Sequence, residues 1–209
     1  RFIDSLDEVR NSKGHAHRID EIHKLDLLDE TGAYLHGVTK LTGTEGADLY
    51  ARRGRGDGKV MNYHYRATVT RAKGRIPFPK PPQYDERRFQ LLSRFLHRNP
   101  DTPLRGVVGF IDNPSGSYGL AADGFTEVEP GDKWELNNHQ ASVLSLGYLG
   151  GQFDYPDGDE ETRARVIADH YEQNAGLLYF LSNSPEVPQR LREEARSWGL
   201  PPDEYVDNG

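Results

Sequence analysis

One long helical pattern, over residues 159 to about 182, constrains the fold of this chain more than any other feature of the sequence. Asp159 can cap the helix, and Glu160 and Glu161 suit the positive end of the helix dipole. Asn183-Ser184-Pro185 ends the pattern. The apolar stripe consists of Val166, His170, Gln173, Leu177 and Leu181, with Ile167, Tyr171 and Leu178 beside it. The spacing predicts one broad buried face, in which we expect His170 to be a satisfied core histidine and not a catalytic one.

The rest of the chain predicts an α+β fold, with a small antiparallel or mixed sheet and helices towards the C-terminus. Asp85 can cap a helix that reaches about His97, and Pro188 begins another that ends at Gly199. Period-two alternation predicts a strand over residues 59–70, and shorter β-like pieces occur at 106–111, 125–128 and 134–136. Four prolines at 77, 79, 81 and 82 predict a stiff internal connector.

Charge and composition exclude several classes of protein. The net charge is −7, which argues against a partner that is duplex nucleic acid or an anionic membrane. No apolar run has the roughly 20 residues that a membrane span needs, and there is no cysteine to supply a thiolate or a disulfide. The 8 Phe, 11 Tyr and 2 Trp favour a folded chain over a solvated tail.

Two regions differ in character along the chain. Residues 1–58 form a polar, loop-rich lead-in with short apolar stretches, and its Arg55-Gly56-Asp57 is best explained by a glycine-rich turn. Residues 59–209 carry the strand, the connector and the helices. Met61 is the single methionine and the chain opens on Arg1, so we expect an interior piece of a longer protein.

Two polar groups are candidates for a site. Asn62, His64 and Arg66 form one face of the predicted strand at spacings of about 7 Å, which suits either a site wall or the wet face of a sheet. Asn137, Asn138 and the following His139-Gln140 can each donate and accept hydrogen bonds. That set suits a sugar or polyol, and Asn-Asn equally suits a turn.

Other familiar chemistry finds little support. The sequence has no GxGxxG after a strand, no phosphate-binding loop of the GxxxxGK[ST] type, and no HExxH or GxSxG. His15, His17 and His23 have no spacing that fixes a metal geometry, so we predict no metal. Asp154, Asp157 and Asp159 could supply paired carboxylates for glycoside hydrolysis, and a turn leading into a capped helix explains them better.

Several stretches together carry a resemblance to one family. They are residues 59–66, 75–81 with 84–85, 134–138, 150–156, 176–181 with 185 and 187–188, and 198–200 with 203–205 and 207–209. In order and spacing they resemble the FAD-dependent oxidoreductases, some of which are labelled xanthan lyase. The resemblance covers about residues 59–209, and the first 58 residues match poorly.

The resemblance implies the substrate-side, cap-type region of a two-domain flavoprotein. The Rossmann-type domain that binds FAD would lie outside this chain, because its glycine-rich phosphate loop is missing here. The intact protein would transfer a hydride from a small substrate to FAD. A sugar or polyol is the favoured substrate. The partners of this chain would be that substrate and the FAD-binding portion of the same protein, and the segment alone would be inactive.

The resemblance also suggests roles for individual residues. Asn62, Tyr63, Arg66, Asn137 and Asn138 stand at positions that match the family motif. The asparagines would bind substrate hydroxyls or a flavin carbonyl, and Arg66 would bind an anionic group or a flavin oxygen. His64 or His139 would be the general base. The alternatives are a carbohydrate-binding module without chemistry and, third, a glycoside hydrolase.

Overall fold

The structure is a computed structural model, and it describes Thr31 and residues 67–108, 126–129, 133–136, 144, 146, 148 and 151–207. Most of these residues belong to helices and the turns between them. The elements in chain order are β1 (Ala67–Val69), a 3-10 helix (Glu86–Phe89), α1 (Gln90–Arg98), α2 (Leu104–Val107), β2 (Thr126–Glu129), β3 (Lys133–Leu136), α3 (Glu160–Asn183) and α4 (Gln189–Arg196). The described unit is therefore partly helical, with short strands.

Helix α3 has the ends that the sequence predicts. Asp159 caps it through a hydrogen bond from the Thr162 backbone N–H to the Asp159 carboxylate, 2.9 Å long. Ser184 follows the last turn in an extended conformation, next to Pro185. A residue before a proline avoids helical backbone angles, which explains why the helix ends there.

The buried face of α3 differs from the prediction at two apolar positions. Ile167 is 48% exposed and Tyr171 is 36% exposed, whereas Glu172 and Asn174 are buried. The prediction assigned burial by apolar character, but the two polar side chains have internal partners that allow burial. Asn174 Nδ2 donates to the His170 carbonyl at 3.0 Å, and Glu172 Oε1 accepts from the Gln83 backbone N–H at 3.0 Å.

The helix predicted to begin at Asp85 is confirmed, with a tighter first turn. Asp85 accepts a hydrogen bond from the Arg87 backbone N–H and so caps a 3-10 helix, which continues directly into α1. Leu91, Leu92, Phe95 and Leu96 of α1 are buried. Helix α4 follows Pro188 as predicted and buries Leu191 and Ala195.

The β-like piece predicted at residues 106–111 is wrong over its first part. Leu104 and Val107 lie one helical turn apart in α2, and both are buried, so a single turn of helix satisfies the apolar run. Val108 then forms an isolated parallel bridge with Leu144. Residues 109–111 lie outside the described part of the chain.

The three strands pair antiparallel in the order β1, β3, β2. Ala67 pairs with Leu136 and Val69 with Trp134, while Thr126 of β2 pairs with Glu135. The register between β2 and β3 is irregular between Glu127 and Glu129. The strand predicted over 59–70 is thus confirmed at residues 67–69. Residues 59–66 lie outside the described part of the chain.

A backbone clasp joins the first and last parts of the described unit. Thr70 exchanges two backbone hydrogen bonds with Gly199, of 2.8 and 3.0 Å, and Ile76 exchanges two with Leu200, both 2.8 Å. A side chain at position 199 would place its Cβ 2.5 Å from the Ile76 carbonyl oxygen, so only glycine allows this approach. We call these four residues the clasp.

The core lies between the strands, the connector and the helices. Its largest fully buried side chains include Phe89, Phe180 and Trp198. The Phe89 and Phe180 rings stack with centroids 5.1 Å apart, which joins the 3-10 helix to α3. Phe78 of the proline-rich connector is 7% exposed, so the connector packs on the domain as an internal spacer.

None of the helices that the structure describes combines the length and apolar character needed to cross a bilayer.

Candidate functional site

The residues predicted to carry the function lie outside the described part of the chain. They are Asn62, Tyr63, His64, Arg66, Asn137, Asn138 and His139. The structure does place the described residues that flank them in sequence. Ala67, which follows Arg66, pairs with Leu136, which precedes Asn137. The two predicted groups are therefore attached to neighbouring ends of paired strands.

Within the described residues, a partly buried polar cluster lies against α3. It consists of Arg88 from the 3-10 helix, Tyr148, and the consecutive helical residues Asp169 and His170, and we call it the Tyr148 cluster. Arg88 Nη2 donates to Asp169 Oδ1 at 2.5 Å, with 19% and 35% of the two side chains exposed. The Tyr148 hydroxyl hydrogen-bonds both of these side chains. The sequence alone does not predict this cluster.

The protonation states of the cluster follow from burial and charge. Burial, helped by the negative charge of Asp169, raises the pKa of Tyr148 to about 12. Burial also opposes ionisation of Asp169, but the hydrogen bonds from Arg88 and Tyr148 outweigh it and hold the pKa of Asp169 below its ordinary value. At neutral pH the cluster therefore contains a neutral tyrosine, a carboxylate and a guanidinium.

His170 is the most buried member of the cluster, with 3% of its surface exposed. Its Nδ1 lies 2.8 Å from the Val166 carbonyl oxygen. Its Nε2 is buried and has no hydrogen-bond partner among the described residues. The predicted core position is confirmed, but only one of the two ring nitrogens has a described partner.

Several independent contacts fix the position of Tyr148. Its backbone φ of 44° lies in the left-handed region, which is strained for an aromatic residue. Its ring meets the His170 ring edge to face, with centroids 5.1 Å apart. A Cβ at position 151 would come within 2.6 Å of the Tyr148 ring, so Gly151 leaves the space that the ring needs.

A buried acid lies on α3, one turn beyond Asp169. Glu172 is 6% exposed, and Oε1 accepts the bond from Gln83. Its Oε2 is buried without a partner among the described residues, as is Nη1 of Arg88. Neither residue stood out in the sequence, because a Glu and an Arg at helix positions are usually exposed.

One cavity among the described residues is small and apolar, with a volume of about 10 Å³, next to Val69, Phe78 and Trp198. This cavity is far smaller than an isoalloxazine ring, and no polar group lines it. The described part of the chain also contains no group of three or more His, Cys, Asp or Glu residues placed to hold a metal ion. We therefore derive no reaction step through FAD from these residues.

Comparison of the chain with protein-family models, with curated proteins and with solved structures gives no match. The contacts described above show how the described part of the chain holds its polar side chains.

Proposed function

We propose that this chain is the substrate-side region of an FAD-dependent oxidoreductase that acts on a small substrate of the sugar or polyol type. The proposal includes the finer α+β, cap-type fold for residues 59–209. It rests first on the resemblance, which extends over that whole range. The FAD-binding portion, outside this chain, would hold the cofactor and its phosphates.

The pairing of Ala67 with Leu136 is the structural observation that supports this proposal best. The two sequence groups that match the family motif, around residues 62–66 and 137–139, are about 70 residues apart, and a ligand can bind both only if the fold joins them. Residues directly opposite each other in an antiparallel pair have Cα atoms about 5 Å apart. The described strand ends are thus compatible with one shared substrate wall.

The roles proposed for these residues follow from what substrate oxidation requires of a protein. The chain must orient a C–H bond, accept a hydroxyl proton and exclude water, while the flavin supplies the hydride chemistry when it is bound. Asn62, Tyr63, Asn137 and Asn138 would orient the substrate hydroxyls. His64 or His139 would take the proton, and Arg66 would bind an anionic group.

The first experiment is a visible absorption spectrum of the protein expressed from its complete coding sequence. We expect the band of bound oxidised flavin after reconstitution with FAD, and no band for the 209-residue chain alone. A complete protein that binds no flavin would contradict the proposal. Binding of a sugar by such a flavin-free protein would favour the carbohydrate-binding module.

The second experiment tests Arg66. In the intact enzyme, Arg66→Ala should lower kcat/KM about 10- to 100-fold, the loss expected for a hydrogen bond to a charged group. Arg98→Ala is the matched control, because Arg98 is exposed at the end of α1. Equal kinetics for the two variants would remove Arg66 from the site.

The glycoside hydrolase has less support. Asp159 is committed to capping α3, and residues 151–157, including Asp154 and Asp157, form a run of turns. This is the turn and capped helix that the sequence predicted. If the complete protein released sugar in a carboxylate-dependent reaction, that result would support the glycoside hydrolase hypothesis.

A further inference from the structure

We propose that residues 77–82 form an exposed proline ridge that binds an aromatic-lined groove of the SH3 type on a partner protein. The proline ridge is the stretch Pro77-Phe78-Pro79-Lys80-Pro81-Pro82, and all of it lies in the described part of the chain. The proposal is independent of the flavin chemistry proposed above, because it gives these residues no part in substrate oxidation.

The backbone of the proline ridge is restricted to extended, polyproline II-like angles. Each proline fixes its own φ at about −65°, and a residue that precedes a proline avoids helical angles. Each of residues 77–81 is a proline or directly precedes one. A turn in which the Tyr84 N–H donates to the Pro81 carbonyl, at 3.2 Å, then ends the stretch. Because the conformation is set before binding, a partner groove has little chain entropy to remove.

Burial along the proline ridge repeats every three residues, which is the period of a polyproline II helix. Phe78 and Pro81 are buried, so one edge of the ridge packs on the domain. The residues on the other two edges are exposed, and they are Pro77, Pro79, Lys80 and Pro82. A three-sided helix can present two edges to a groove while the third edge packs on its own domain.

Pro79 and Pro82 are the pair that fits such a groove. They lie three residues apart on one edge, so at about 3.1 Å per residue they are about 9 Å apart along the ridge. This is the PxxP pattern that SH3-type grooves bind. Tyr84 instead packs on Phe89 and Tyr179, with ring centroids 6.2 and 5.0 Å away. A groove that needs a free tyrosine after the prolines therefore does not fit.

The charge around the proline ridge determines the rim of the partner groove. Residues 71–83 contain no acid and four basic residues, which are Arg71, Lys73, Arg75 and Lys80. The whole chain has a net charge of −7, so this segment differs in sign from the rest. Lys80 is exposed on the ridge itself, with Nζ 5.4 Å from the centre of the Tyr84 ring. A groove with acidic side chains on its rim complements this charge.

The test is NMR titration of the ¹⁵N-labelled 209-residue chain with a set of purified SH3 domains that have acidic groove rims. The amide signals of Phe78, Lys80 and Gln83 should shift saturably with at least one of these domains. Pro79→Ala should weaken that binding about tenfold, because it removes a ring that fills the groove. Lys80→Glu should also weaken it, with a larger effect at low salt.

Pro100→Ala is the matched control, because Pro100 is an exposed proline in the turn after α1. It should bind as tightly as the unmodified chain. The absence of saturable shifts with every SH3 domain would overturn the proposal, as would equal affinities for Pro79→Ala and Pro100→Ala. Shifts at the proline ridge that depend on the concentration of the chain alone would assign it to a second copy of this chain and would also overturn the proposal.

Discussion

At the scale of one residue, Tyr148 combines a positive φ with a partly buried hydroxyl, and other residues stabilise both. An aromatic residue rarely adopts a positive φ, and burial of a hydroxyl requires partners. Gly151 provides space for the ring, and Asp169 and Arg88 provide partners for the hydroxyl. The cost of the backbone conformation is thus offset by contacts from three other positions.

Tyr148→Phe should reduce stability at neutral pH by about 0.5–1.5 kcal/mol, the usual net value of a lost hydrogen bond. The folded-state pKa of Tyr148 is raised from 10.0 to about 12, so its contribution is fully present below pH 10 and is lost as pH rises towards 12. The difference in free energy of unfolding between the two proteins should therefore shrink over that interval. Denaturant unfolding at a series of alkaline pH values measures it.

Tyr205→Phe is the control for this measurement, because Tyr205 is 55% exposed. It should leave the free energy of unfolding at neutral pH nearly unchanged. A difference between the chain and Tyr148→Phe that stays constant up to pH 12 would show that the hydroxyl of Tyr148 does not titrate with the raised pKa.

Sequence reasoning succeeds in this chain where the chemistry is local. The cap at Asp159, the cap at Asp85 and the stop before Pro185 each depend on residues within one helical turn, so the pattern itself contains the answer. Leu104 and Val107 show where a local pattern is insufficient. A short apolar run suits either a strand or one turn of helix, and packing determines which of the two forms.

The Tyr148 cluster could not be predicted in the same way. Arg88 and Asp169 are separated by 81 residues, and a single sequence gives no sign that they meet. Glu172 is buried only because Gln83 offers a backbone N–H at the right place. The one local signal in the sequence was Gly151, and a glycine does not reveal which ring it accommodates.

At the scale of an element, the cap of α3 is the feature most open to test. Asp159→Ala should lower Tm by about 2–4 °C at neutral pH, since a lost N-cap leaves backbone N–H groups of the first turn unsatisfied. The hydrogen bonds from the Thr162 backbone and side chain hold the pKa of Asp159 below 3.8. Its contribution is therefore present above that pH and lost as pH falls through the lowered pKa.

Asp157→Ala is the matched control, because Asp157 is an exposed acid in the turn just before the cap. Thermal unfolding followed by circular dichroism compares the two variants. If they lower Tm equally at neutral pH, the carboxylate of Asp159 acts through general charge and not as a cap.

At the scale of the whole molecule, Lys133 connects β3 to the segment that follows the clasp. Its Nζ lies 2.8 Å from carboxylate oxygens of both Asp203 and Glu204. These hydrogen bonds raise the pKa of Lys133 above its usual range and lower that of Asp203. The Asp203 side chain is 67% exposed and that of Glu204 is 34% exposed, so salt should screen these ion pairs.

Lys133→Gln should lower the denaturant midpoint at low ionic strength, and the difference from the unmodified chain should diminish as salt is added. Lys73→Gln is the control, because Lys73 lies in an exposed turn. A loss of stability for Lys133→Gln that is independent of salt would assign the role of Lys133 to packing of its aliphatic chain.

The clasp has a consequence for how the chain reaches this structure. Thr70 and Ile76 form backbone hydrogen bonds with Gly199 and Leu200, and Arg75 Nη2 donates to the Arg196 carbonyl across 121 residues. Contacts between positions so distant close large loops, which slows the search for them. During synthesis, β1 leaves the ribosome long before these partners exist. The backbone groups of Thr70 and Ile76 therefore lack these partners until the chain beyond α4 has emerged, and unpaired backbone groups of this kind favour aggregation.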